Sequence, residues 1–277
     1  MSNLQLRVIS AVVLAIVTLG LTWLGGLPFR LLCAAMAAVI FYEWTRMSRP
    51  VAPAGANGRA GLGFLPEALI VVFIGALVAG LPASLLLPLV AALVAVAAVA
   101  AFMRRAGPWE ASGLAYAAAS GLSLALLRDG DLSGLLAILF LFAVVWATDI
   151  FAYFVGRSVG GPRLAPSISP GKTRSGALGG VVGGVVAGLL LAAVAGTGNL
   201  VVLGVVALVL SIVAQAGDLF ESWVKRRHGR KDSGTLIPGH GGIMDRVDGL
   251  VAAAFALYVI GWISATADHP AQGLFPV

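Results

Sequence analysis

Long, nearly uncharged apolar runs are the feature that leaves this chain the fewest ways to fold. A hydrocarbon core needs about 20 apolar residues per helix. Runs approaching that length fall at 6–24, 28–47, 64–80, 82–103, 111–127, 133–155, 176–195, 199–222 and 249–267. Only 11% of the 277 residues are charged, against about 25% in soluble domains, so a soluble fold of this size would lack a polar surface. The runs also lack the period-2 alternation of a membrane barrel. The expectation is an all-α polytopic membrane protein of about nine transmembrane helices. Residues 1–110 form N-terminal membrane helices with a Pro/Gly/Ala linker at 51–63, and 111–277 form a C-terminal membrane region that carries the chemistry. Arg7 followed by Val8–Leu24 has the outline of a signal peptide, but the run is long enough to span and no small-x-small site follows it. It is read as a retained first helix.

Positive charge sets the expected orientation. With alternate loops counted, sixteen of the eighteen Lys and Arg fall on one side, and only Arg30 and Arg128 fall on the other. The positive-inside rule then puts the N-terminus in the cytoplasm and the C-terminus outside. The formal charge of +6 is spread over those loops, which argues for topology and against nucleic acid as a partner. Cys33 is the only cysteine, so a disulfide framework and a Cys-based metal site are both excluded.

Acids in or beside a span are costly and mark function by default. Glu43 reads as an interfacial residue near Arg46, and Asp129 and Asp131 as solvated residues of an outer loop beside Arg128. Five other acids stand apart. Asp149 interrupts the sixth run without a basic neighbour. Asp218 and Glu221 share a helical face near the end of the eighth, and Asp245 and Asp248 repeat that spacing before the ninth. Such a group repels itself unless a cation compensates. Hard divalent ions take carboxylate oxygens together with substrate phosphates, and no His/Cys cluster competes for zinc. Salt bridges to Arg226 or Arg246 are the alternative for any single acid. Between the acid pairs runs Lys225–Gly242, whose basic side chains and glycine turn suit polyphosphate oxygens. SPGKT at Ser169–Thr173 lacks the spacing of a nucleotide P-loop and reads as a short phosphate-contacting turn ahead of a helix. Gly180, Gly184 and Gly188 of the seventh run read as a close helix-packing face.

The run GDLFESWVKRRHGRKDSGTLIPGHGGIMDRVDG closely resembles the signature of phosphatidate cytidylyltransferases (CDP-diacylglycerol synthases). It carries Ser222, Lys225, Arg226, Lys231, Asp232, Gly234, Pro238, His240, Gly241, Gly242, Asp245, Arg246 and Asp248 at the family's positions. Asp149 with AYFVGR, and LAPSISPGKT, fit the family's upstream pattern. The departures are Ile150 and Phe151 where small residues are usual, and Arg174 where an aromatic is usual. The resemblance implies transfer of a cytidylyl group from CTP to phosphatidate at the cytoplasmic face of the inner membrane, with Mg²⁺ and room for a second, monovalent cation. It implies Asp218 and Asp245 as principal metal ligands, with Asp149 and Asp248 in support. Lys172, Lys225, Arg226, Lys231, His240 and Arg246 would hold phosphates. Asp232 joins this catalytic set, and Ser169, Thr173, Ser222, Gly241 and Gly242 join the substrate contacts. Membrane lipid is the expected surrounding partner, and a homodimer is an allowed assembly. Two rival readings weigh less. The DxxDG of Asp245–Gly249 breaks from the CDP-alcohol phosphotransferase motif at Ala253, and an ion-coupled transporter would place its acids nearer the bilayer midplane.

Overall fold

The computed structural model describes residues 3–49, 64–236 and 241–277, with residues 3–11 described by backbone alone. The linker expected at 51–63 and the proposed phosphate contact His240 lie outside the described residues.

The apolar runs become helices, in order α1 (Asn3–Leu24), α2 (Gly26–Ser48), α3 (Leu65–Ala79), α4 (Ala83–Met103), α5 (Trp109–Arg128), α6 (Leu132–Val159), α7 (Arg174–Ala195), α8 (Leu200–Arg227) and α9 (Met244–Ser264). Among the described residues, seven of these, α2 and α4 to α9, are long and apolar enough to cross a membrane. The run at 64–80 does not meet the expectation placed on it. α3 has 15 residues, which at 1.5 Å each reach roughly 22 Å, short of a core about 30 Å thick. Large apolar side chains face outward along the helices, among them Phe102 at 84% exposure, Val194 at 89% and Ile263 at 81%. In water such a surface would aggregate, whereas in lipid it is the ordinary outside of a bundle.

The interior has two halves that share one core. α2 packs on α3 and α5, α4 on α5, and α5 reaches across to α9, burying Phe29, Ile40, Trp44, Phe73 and Leu114. The other half is built on α6 and α7, which pack along their length, with α8 against α7 and α9. The glycine face of α7 makes that approach possible. A Cβ at Gly180 would stand 2.8 Å from the Thr148 carbonyl, and one at Gly184 would stand 2.4 Å from Thr148 Oγ1. Thr148 Oγ1 in turn lies 2.7 Å from Ser211 Oγ of α8, so three helices meet at one buried hydroxyl pair, one residue before Asp149.

Between α6 and α7 the chain forms an antiparallel hairpin, β1 (Arg163–Ala165) and β2 (Ser169–Thr173). The SPGKT segment read as a turn is therefore a strand, and its last residue, Thr173, caps α7 by accepting from Gly176 N at 3.1 Å.

The opposite end of the bundle is tied down by residues expected to be solvated. Arg128 is 5% exposed. Its Nε donates to the Thr22 carbonyl at 2.6 Å, and its terminal nitrogens to the carbonyls of Trp23, Asp129 and Asp131. Asp131 caps α6 through Gly134 N at 2.8 Å, and Asp129 pairs with His269. Residues 265–277 fold back over this end. Asp268 accepts from Ala83 N at the start of α4, and Phe275 packs edge-on to Phe140. The apolar environment explains the difference, because unpaired carbonyls at helix ends have little water to turn to and recruit whatever donor is near.

Candidate active site

α6 and α8 have 28 residues each, about 42 Å of helix, so they outrun the hydrocarbon and carry polar residues past it. Both run in the same direction in the hairpin sequence α6–α7–α8. Asp149 lies ten residues before the end of α6 and Asp218 nine before the end of α8, which sets them at nearly the same height. α9 runs back from that end, and its helix starts earlier than its apolar run, at Met244 rather than 249. Asp245 and Asp248 therefore stand on its first turns, facing α8.

These placements bring Asp149, Asp218, Glu221, Asp245 and Asp248 into one cluster. The charges of Asp149, Asp218 and Asp248 bear on one another, and Glu221 lies against Asp248. Two lysines enter the cluster. Lys172 of β2 pairs with Asp218, which also accepts from Ser222 Oγ at 3.5 Å. Lys225 bridges Glu221 Oε1 at 3.2 Å and Asp245 Oδ1 at 2.7 Å. Asp245 further accepts from Ser233 N at 3.0 Å and Gly242 N at 2.9 Å, so it holds both ends of the loop that leads into α9. Gly241 takes φ +85° there, a conformation that a side chain would resist.

The other expected contacts lie further out. Arg226 is exposed and donates to the Ile168 and Arg230 carbonyls at 3.4 and 3.2 Å, fastening the β-hairpin to the end of α8. Lys231 and Asp232 are exposed on the loop, as is Arg246 on α9. Ser169 pairs with Ala165 across the hairpin.

Glu43 was misjudged from sequence. It is 1% exposed and accepts from Ile243 N at 3.0 Å, Met244 N at 2.7 Å and Ser233 Oγ at 3.2 Å. The signal available beforehand was its place between Tyr42 and Trp44 at the end of an apolar run. Its partners, about 200 positions away, left no trace in local sequence.

The donor set suits a hard divalent cation. It consists of carboxylate oxygens, and the fully buried Glu221 has Lys225 against only one of its two oxygens. Five clustered acids with two lysines among them are costly unless further positive charge is supplied. Among the described residues no three acids already converge on a single point as a metal cage, and lysines stand on the carboxylates that a cation would use. The acids expected to hold a metal are Asp218 and Asp245, with Asp149 and Asp248 in support; Lys172 stands on the first of these and Lys225 on the second.

A cluster of acids and lysines at one end of an apolar helix bundle has the chemistry to receive a phosphate-bearing substrate. The chain belongs to the cytidylyltransferase family, whose pattern matches residues 5–264, and it is a nucleotidyltransferase. In particular it is similar along its length to proteins named phosphatidate cytidylyltransferase. That of Brucella suis biovar 1 (strain 1330) is 49% identical over 277 residues, covering 99% of each chain. That of Bacillus subtilis (strain 168) is 33% identical over 266 residues, covering 94% of this chain and 98% of the other.

Proposed function

We propose that this enzyme transfers a cytidylyl group from CTP to phosphatidate, giving CDP-diacylglycerol and pyrophosphate, at the cytoplasmic face of the inner membrane. The observation that carries the reading is the junction of the carboxylate–lysine cluster with the Lys225–Gly242 loop at the end of α8 and α9. This is the level at which a lipid headgroup can be met without leaving the bilayer. Arg49 and Arg104, paired with Glu67 and Glu110 at the same end of the bundle, together with the basic residues of 157–174 and 225–246, support the cytoplasmic assignment.

A phosphate monoester has its second pKa near 6, so the lipid phosphate is largely a dianion at neutral pH and needs no strong general base. Its oxygen forms the new bond to the α-phosphorus of CTP, the bond from that phosphorus to the β-phosphate bridging oxygen breaks, and pyrophosphate leaves with that electron pair. The work left to the protein is alignment of two anions and compensation of their charge. Lys172 and Lys225 stand within the cluster where the two phosphate groups must meet. Arg226 and Lys231 extend the positive field outward from α8 and the loop, and Arg246 adds to it from α9; by the resemblance His240 would join them on phosphate. Ser169, Ser222 and Gly241 offer hydroxyl and N–H donors, Gly242, whose N–H is held by Asp245, shapes the turn beside them, and Thr173 fixes the start of α7 beneath Lys172. Asp232 borders the same loop. Mg²⁺ would neutralise phosphate charge and stabilise the leaving pyrophosphate when bound.

The test is purified enzyme in detergent with radiolabelled CTP, Mg²⁺ and no ion gradient, offered phosphatidate or other phosphorylated lipids in turn. Labelled CDP-diacylglycerol is expected from phosphatidate. Failure with phosphatidate while another phosphorylated lipid is converted would overturn the substrate assignment.

A further inference from the structure

Helix α9 starts without a cap of its own. Ile243 precedes it in helical conformation and has no side-chain acceptor to offer, yet the first N–H groups of any helix need one. Glu43, on α2, supplies it from the other half of the molecule. One oxygen accepts from Ile243 N, and the other accepts from Met244 N and Ser233 Oγ. A carboxylate in this place also faces the positive end of the α9 dipole. The loop is shaped to receive it, since a Cβ at Gly234 would come within 2.6 Å of Glu43 Oε1 and one at Gly242 within 2.7 Å. Ser233 is the link between two acids. Its hydroxyl is held by Glu43 and its N–H by Asp245.

We infer that Glu43 is a positioning residue for the transfer reaction. It fixes the first turn of α9, and through Ser233 and Gly242 the carboxylate of Asp245, against Lys225 of α8, without touching substrate. The inference rests on the reading of Asp245 and Asp248 as site residues. Misplacing a reacting constellation by about 1 Å costs up to about a hundredfold in rate. Glu43→Gln, which keeps one acceptor and loses the charge, is therefore expected to lower turnover about tenfold, and Glu43→Ala more.

The experiment pairs turnover of CTP and phosphatidate with hydrogen exchange measured by mass spectrometry on the full chain in detergent, without nucleotide or metal. Glu43→Gln should speed exchange in the 233–248 peptides while α6 and α7 stay as protected as in the wild type. Ser233→Ala should cost less, and Glu43→Gln combined with Ser233→Ala should be no worse than Glu43→Gln alone, because both act through one link. Turnover within twofold of wild type in Glu43→Gln would overturn the inference. So would exchange that rises throughout the chain in step with lost activity, since the carboxylate would then only hold the fold. Should Glu43→Gln not be recoverable, Ser233→Ala decides by the same two readouts, a loss of about threefold with local exchange supporting the inference and unchanged values refuting it. Wild-type enzyme that fails to use phosphatidate would count against the substrate assignment alone, and the exchange arm would still report the lock.

Discussion

Replacing Lys225 with Met keeps length and apolar bulk but removes the charge that holds two acids. Lys225 is 11% exposed in its side chain, Glu221 0% and Asp245 9%. Asp245 keeps its bonds from Ser233 N and Gly242 N, so most of the penalty falls on Glu221, left buried and uncompensated. Removing one partner of a buried pair costs about 3–5 kcal/mol, and the lower end applies because one of the two acids retains other donors. For a domain of this size about 1 kcal/mol moves Tm by roughly 2–4 °C, so Lys225→Met should melt roughly 6–12 °C below wild type in a detergent thermal-shift assay. Adding Glu221→Gln removes the stranded charge and should restore most of that stability while leaving the enzyme inactive. A Tm for Lys225→Met within 2 °C of wild type would refute the argument from burial. A double variant as unstable as the single would refute the assignment of the penalty to Glu221.

Gly184→Leu should force α7 off Thr148, spreading α6 from α8 and lowering both yield and turnover, and a variant with wild-type Tm would show the interface to be loose. Arg128→Ala strips donors from four carbonyls and should lower Tm by several degrees, yet turnover per folded molecule should hold because the site lies at the other end of the bundle. The hydrogen bond to Asp129, assisted by that residue's charge, holds the His269 imidazole above its usual value near 6.5. Its stabilisation is therefore complete below that value and fades as pH rises through the raised one. The pair is half exposed and worth less than about 1 kcal/mol, so Tm should fall by a degree or two between pH 6 and pH 8.5, and His269→Ala should abolish that drift.

Helix positions were legible because lipid imposes one crude requirement, apolar length, and each run satisfies or fails it locally. Asp149 was legible for the same reason, as a charge where none should be. The site's interior was harder to read. That Lys225 meets Asp245, or Lys172 meets Asp218, depends on how α6, α8 and α9 rotate about their axes, which the Thr148–Ser211 contact and the α7 glycines decide together. Arg128 and Glu43 look like surface charges because what they satisfy is backbone, and backbone donors and acceptors have no letter in the sequence. The 163–173 hairpin escaped notice because three- and five-residue strands carry too little periodicity to register.

Among the described residues, two helix starts are finished by side chains from far along the chain, α9 by Glu43 and α4 by Asp268. Chains enter a membrane from the N-terminus onward, and the two cases then differ in time. When α9 emerges, the carboxylate awaiting it is already in place on α2, so the first turn of α9 can be capped as soon as it is made. The start of α4 must instead stand open until Asp268, 185 positions further on, has been synthesised. The end that carries the acid–lysine cluster would thus be assembled before the far end is sealed.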